Sequence, residues 1–313
     1  MNVEETKEIF QKVLEQMKKR IVGNDKVIEL IFATMLADGH VLLEGVPGIA
    51  KTLMASTLAE ILDLNFKRIQ FTPDLLPADI TGGNIYNRKT NEFDFVKGPV
   101  FTNILLADEI NRSPPKTQSA LLEAMQEHQV SSGTKTYDLP DPFFVIATQN
   151  PIESTGVYPL PEAQIDRFLV KILVKPPNVT GEVEMLKMKR EKMFADVDMV
   201  IRKETILTVK KEIETNVKIS DQVLEYIAKL VTATREIPSL SLGASPRGSI
   251  ALLTLSRSIA AINGRDYVEP DDIKSIFHAV INHRLILSPE AEIEQIRVEE
   301  IIKNLLSEVE VVI

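Results

Sequence analysis

The chain contains no cysteine and no tryptophan. Without cysteine there are no disulfides, no thiolate catalysis and no cysteine-ligated zinc or iron–sulfur site. Histidine is scarce as well: His40, His128, His278 and His283 are scattered, with no metal-ligand spacing. His278 and His283 are five apart and do not share a helix face, so surface or satisfied core roles are expected. Positive charge is in deficit. The 36 Lys+Arg against 45 Asp+Glu give a net charge of −9, which removes any general basic footprint for nucleic acid or anionic lipid. No run approaches the roughly 20 apolar residues needed to cross a bilayer. The opening residues, through Lys7, lack the basic segment and apolar core of a signal peptide, so a cytoplasmic location is expected.

What is present is ordinary in bulk and specific in detail. Apolar residues make up 44% and charged residues 26% of 313, enough for two domains with buried cores. Residues 45–52 read Gly-Val-Pro-Gly-Ile-Ala-Lys-Thr and follow the apolar stretch Val41-Leu42-Leu43. This is the pattern of a strand running into a phosphate-binding loop and then a helix. Gly45 and Gly48 let the backbone turn its N–H groups inward, with Val46, Pro47, Ile49 and Ala50 completing the cradle. The helix from about Lys51 to Ile61 adds its N-terminal dipole. Lys51 reaches the terminal phosphates and the Thr52 hydroxyl can bind Mg²⁺. The usual loop has glycine at the position of Ala50. A methyl group there is expected to require an ordinary negative φ.

A second motif raises the specificity. Residues 103–109 read Asn-Ile-Leu-Leu-Ala-Asp-Glu, a short apolar run ending in acids, as in a buried parallel strand whose carboxyl end carries a site. Asp108 is expected to hold Mg²⁺ and Glu109 to orient the attacking water. ATP or another nucleoside triphosphate is therefore both bound and hydrolysed on this reading. Around these motifs, helical patterns open the chain up to Ala37. Strands are expected at Phe66–Phe71, Phe143–Ala147 and Phe168–Val174, a helix from Pro114 or Pro115, and a hairpin at Gln129–Tyr137. A Pro/Gly-punctuated stretch spans Thr72–Gly83. Alternating strands and helices predict an α/β three-layer parallel sheet. After Pro176-Pro177 only helical periods remain. The expected division is an α/β nucleotide-binding core at 1–176, including the N-terminal helix, and an all-helical lid at 177–313.

Three further residues admit two readings each. Asn150 ends the Phe143 strand, where its amide can bond a phosphate or the attacking water; it is equally a turn-forming residue before Pro151. Arg167 can be an arginine finger for a neighbouring subunit, or a surface residue paired locally with Asp166. Arg247 follows Ser245 and Pro246, a fair N-cap and first-turn pair. A cation there opposes the helix dipole, so it either points across a cleft at the γ-phosphate or is a solvated arginine.

Taken together, the segments Leu43–Thr52, Leu106–Arg112, Ala147–Pro151, Leu160–Phe168 and Gly243–Arg247 resemble the AAA+ ATPases and, within them, the MoxR family, over nearly the whole chain. The resemblance implies Walker A at Lys51 and Thr52, Walker B at Asp108 and Glu109, sensor 1 at Asn150, an arginine finger at Arg167 and sensor 2 at Arg247. It places Val22 and Gly23 against the adenine, favouring ATP. Alanine before the loop lysine is common in that family. Phe71–Gly83 looks like an insert in helix 2, and Gln129–Tyr137 like the hairpin before sensor 1; in related ATPases both face a central pore. The resemblance further implies a homo-oligomeric ring, usually a hexamer. Its implied work is chaperone-like remodelling of protein partners, often ones with a von Willebrand factor A domain. A nucleic-acid motor and the motor subunit of a metal chelatase are the alternatives. Net acidity and the absence of tryptophan weigh against the first.

Overall fold

The computed structural model describes residues 2–46, 48–151, 157–190 and 196–311. Two helices come first, α1 (Val3–Lys18) and α2 (Asp25–Leu36). Asn2 caps α1 by accepting from the Glu5 N–H while the Glu5 carboxylate accepts from the Asn2 N–H, a reciprocal capping box. Strand β1 (Val41–Glu44) leads into α3 (Lys51–Ile61). Next come β2 (Phe66–Gln70), the short α4 (Pro77–Thr81), a hairpin of β3 (Gly82–Asn87) and β4 (Glu92–Lys97), and β5 (Ile104–Asp108). Helix α5 (Pro115–Glu127), the hairpin β6 (Gln129–Ser132) and β7 (Lys135–Asp138), and β8 (Phe144–Gln149) follow. The one-turn α6 (Glu162–Ile165) and β9 (Val170–Leu173) complete the sheet-bearing part.

The central sheet has the order β2-β5-β8-β1-β9, and every pairing in it is parallel. Period-2 alternation splits its side chains between two apolar clusters. Val41, Leu43, Ile104, Leu106, Phe144 and Ile146 face the layer holding α1, α2 and α3. Leu42, Leu105, Ala107, Val145 and Ala147 face α5 through Leu121, Leu122 and Met125. Three layers result, as the buried strands predict.

Beyond residues 174–178, which contain Pro176 and Pro177, the chain is mainly helical. It comprises α7 (Val179–Arg190), α8 (Lys203–Asn216), α9 (Asp221–Ala233), α10 (Pro246–Ile262), α11 (Pro270–Ile281), α12 (Pro289–Ile293) and α13 (Val298–Glu308). One departure is a small antiparallel ribbon of β10 (Leu240–Leu242) and β11 (Ile286–Leu287). It was invisible as periodicity because neither strand is long enough to alternate and none of its residues is fully buried. The lid is not a detached body. Leu252, Leu255 and Ile259 of α10 share one apolar cluster with Val13 and Met17 of α1 and Phe32 and Met35 of α2.

Two other expectations change. The stretch read as ending at Gly83 runs on without a break into the β3–β4 hairpin, which reaches Lys97. Its polar-rich strands carry no buried face to signal them. Ala50 has φ 61° and ψ 19°, a left-handed backbone in place of the expected negative φ. The loop has to reverse its direction immediately before α3 starts, and that reversal falls on the residue preceding Lys51.

Candidate functional site

The site lies at the carboxyl ends of β1, β5 and β8, where parallel α/β sheets collect ligands. A Cβ on Gly45 would come within 2.5 Å of Ile49 Cδ1 and 2.7 Å of the Val174 carbonyl oxygen, so only glycine fits. Gly48, at φ 86°, has open space where its side chain would be. Pro47 lies outside the described residues. The N-terminus of α3 has no side-chain cap, which leaves its first-turn N–H groups for an anion. Lys51 Nζ donates to the Gly45 carbonyl at 2.7 Å, folded into the cradle it would vacate for a phosphate. Partial burial pushes its pKa down, opposed by the charges of Asp108, Glu109 and Glu44. A cradle a Cβ would fill, uncapped amides, a threonine at the helix start and an acid at the end of β5, one strand removed from β1, fit a triphosphate with Mg²⁺.

The acids are held in a network. The Thr148 hydroxyl, on neighbouring β8, donates to Asp108 Oδ1 at 2.6 Å and accepts from the Glu109 N–H at 2.8 Å. Arg68 on β2 donates to Asp108 Oδ2 from Nη2 at 2.7 Å and from Nε at 3.2 Å. Glu109 has a left-handed backbone, φ 56° and ψ 51°. That conformation is costly for a residue with a Cβ and is found where surroundings over-determine it, often at functional sites. Its Oε2 accepts from Gln70 Nε2 at 2.7 Å and Arg112 Nη1 at 2.9 Å. Asn150 is 6% exposed at the end of β8, within this group of strand ends. Val22 and Gly23 lie between α1 and α2. The Val22 side chain approaches the start of α7, with Cγ1 3.6 Å from where a Cβ on Gly181 would be.

Arg68 and Gln70 lie outside every motif of the sequence, while Arg112 and Thr148 lie inside two of them without an assigned role. Alternation could have found the β2 pair, since Arg68 and Gln70 share a strand face and register with Leu106 and Asp108.

The two arginines sit elsewhere. The His40 carbonyl, just before β1, accepts from the Leu169 N–H. The Asp166–Arg167 segment therefore lies at the amino edge of the sheet, opposite the phosphate loop. Arg247 Nη1 is 3.7 Å from Asp166 Oδ2, and Arg247, Arg167, Met125 and Gln126 line one 290 Å³ hollow. Arg247 thus does not point at the phosphate loop of its own chain. The docking of α10 against α1 and α2 carries it to the far edge. Among the described residues the Arg167 side chain makes no hydrogen bond or ion pair, and it is half-buried.

A five-stranded parallel sheet with a phosphate loop after its first strand, acids after its third and a helical lid defines an AAA+ architecture. Residues 40–170 match the ATPase family associated with various cellular activities (AAA), and residues 232–305 match the AAA lid domain. The chain is 48% identical over 304 residues to the protein YeaC of Bacillus subtilis, covering 97% of this chain and 95% of that protein. It is 44% identical over 309 residues to the protein named Chaperone MoxR1 of Mycobacterium tuberculosis, covering 96% and 81%. A crystal structure of a Cytophaga hutchinsonii protein superposes with a TM-score of 0.92 at 44% identity, covering 99% of this chain and 97% of that one. The chain belongs to the MoxR family of AAA+ ATPases.

Proposed function

We propose that this protein hydrolyses ATP as a subunit of a homo-oligomeric ring, a hexamer, and uses the cycle to remodel protein partners. The observation that carries the reading is the division of the chemistry between opposite edges of one sheet. Lys51, Asp108 and Glu109 stand at one edge, and Arg167, whose side chain has no partner among the described residues, stands at the other.

In the proposed cycle the loop amides and Lys51 bind the β- and γ-phosphates, while Val22 and Gly23 contact the adenine. Thr52 and Asp108 would hold Mg²⁺, which offsets phosphate charge when bound. Glu109 orients a water for in-line attack on the γ-phosphorus and accepts its proton. A new P–O bond forms as the bond to the bridging oxygen breaks, and the electron pair leaves with ADP. Asn150 holds the attacking water or a γ-oxygen. Arg167 of the neighbouring subunit meets the charge that develops on the equatorial oxygens, and Arg247, beside it, works on the same neighbour's nucleotide. No helix among the described residues is long and apolar enough to cross a membrane, and the cytoplasm, where ATP is made, suits this cycle. The partner remodelled would be a separate polypeptide, a von Willebrand factor A domain protein being the class the family resemblance favours.

Phosphate release tests the reading directly. Lys51→Ala should abolish calorimetric ATP binding. Arg167→Ala should bind ATP normally yet lose roughly 10³-fold or more in turnover, the range for an arginine finger. Mixing Arg167→Ala with Glu109→Gln subunits should restore activity, because each supplies the half-site the other lacks. No restoration at any ratio, with mixed assemblies confirmed, would remove the trans role.

A further inference from the structure

Arg284, in the 3-10 turn after α11, is a lid residue whose side chain is only 4% exposed. Among the described residues, all the bonds of its side chain but one run out of the lid. Nε donates to Asp166 Oδ1 at 2.7 Å, and Nη2 donates to the carbonyls of Asp166 at 3.2 Å and Phe168 at 2.9 Å. Nη1 donates to the Leu169 carbonyl at 3.2 Å and, within the lid, to that of Val280. One nitrogen thus holds the carbonyls on both sides of Arg167. The two residues before Arg284 reinforce it. His283 Nε2 bonds the Phe168 carbonyl at 3.1 Å, and Asn282 Nδ2 donates to the Lys171 carbonyl at 3.0 Å. Three consecutive lid residues therefore fasten the backbone from 166 to 171, while the Arg167 side chain itself is tied to nothing among the described residues.

We infer that Arg284 and Asp166 are positioning residues for Arg167, so that the lid's seating on its own sheet sets how well a subunit serves its neighbour's nucleotide. The guanidinium is suited to this because its planar fork reaches several acceptors at fixed angles, which an ammonium cannot do. Asp166 offsets the charge of Arg284 with one oxygen and faces Arg247 with the other. Both lid arginines are therefore referred to the same carboxylate beside Arg167. The effect falls on the neighbouring subunit, because the finger they aim is not used at home.

This inference rests on the trans reading of Arg167, and the test separates the two. Arg284→Lys and Asp166→Asn are each measured alone and mixed with Glu109→Gln, with Arg167→Ala in parallel. Each positioning variant should keep ATP affinity within about twofold and KM near its original value. Its kcat should fall by roughly 10- to 100-fold, since a misplacement of about 1 Å costs on the order of 100-fold. Mixing with Glu109→Gln should restore turnover, the signature of a damaged finger beside an intact phosphate site. A loss of global stability alone would lower both partners' contributions and give no restoration. If Arg167→Ala is restored and neither positioning variant is, or if their kcat is unchanged, the inference is wrong while the trans finger stands. If Arg167→Ala is not restored, the finger reading falls and this inference with it. Should Arg284→Lys fail to fold, Asp166→Asn decides alone, because it keeps the side-chain volume.

Discussion

Ala50 and Glu109 share a backbone handedness that L-residues avoid, at φ 61° and 56°, and both flank the place where phosphates would lie. For Ala50 the two opposing terms can be compared. A Cβ in this region costs about 1–2 kcal/mol, whereas glycine loses about 0.5–1 kcal/mol in extra chain freedom. Ala50→Gly should therefore stabilise the protein slightly, raising the melting midpoint by on the order of 2 °C; a lowered midpoint in calorimetry would contradict this. For Glu109 the strained backbone is held by Thr148 at its N–H, and its carboxylate by Gln70 and Arg112. Glu109→Gln keeps the shape and loses the base, so turnover should drop by roughly 10²–10⁴-fold with ATP still bound.

A different residue responds to pH. Buried His40 accepts from the Val145 N–H at Nδ1, 3.1 Å, and pairs with the Met125 carbonyl through Nε2, 3.1 Å. Both bonds require the neutral ring with its proton on Nε2. Burial first, then His128 and Lys210, lower its pKa to about 4, against the Met125 carbonyl and Asp38. The unfolded chain thus binds a proton that the folded one refuses. Stability is full above about pH 6.5 and falls as pH drops toward about 4, by at most about 3 kcal/mol. Urea midpoints at pH 7.5 and 5 should show the fall, and His40→Gln should flatten it. Residue types at the glycines, Lys51, Thr52 and the acid pair were legible because each answers a local chemical demand. The handedness of Ala50 was not, since it follows from where the loop turns.

Among the elements, one of the two hairpins departs most from what sequence reading offers. Gln129–Tyr137 could be read as a hairpin because Ser131-Ser132-Gly133 marks its turn. The β3–β4 hairpin could not, having no buried alternation. The structure stacks Phe95 of one on Tyr137 of the other, with ring centroids 4.2 Å apart, so the two hairpins pack together. Tyr86 and Phe93 lie on the same face, 5.4 Å apart, and Phe93 is 69% exposed. Such exposed aromatics suit gripping a polypeptide in passing. The Tyr86→Ser, Phe93→Ser double variant should keep basal phosphate release and lose its stimulation by a permanently unfolded polypeptide. Stimulation that survives would clear these side chains of the role. Stimulation of the parent by single-stranded DNA instead, lost with salt, would turn the reading toward a nucleic-acid motor.

At the scale of the whole molecule, the α/β core was legible because apolar strands ending in polar residues declare both layer and site. How the lid sits was not. Nothing local to Gly243–Arg247 says which edge of the sheet it will face, because that depends on α10 meeting α1 and α2 across more than two hundred residues of chain. The motif is legible in the sequence and its direction is not. With half-sites at opposite edges, specific ATPase activity should rise with protein concentration and level off as assembly completes. Constant activity down to dilutions where the chain is monomeric would contradict the division.

The same opposition has a genetic corollary. On the proposed trans role of Arg167, a lesion at Lys51 would silence the molecule that carries it, whereas a lesion at Arg167 would leave the carrier's own phosphate site intact and disable its neighbour's. In a cell expressing both alleles, the second kind should then act as a dominant poison, with a severity that tracks the odds that any given neighbour is defective.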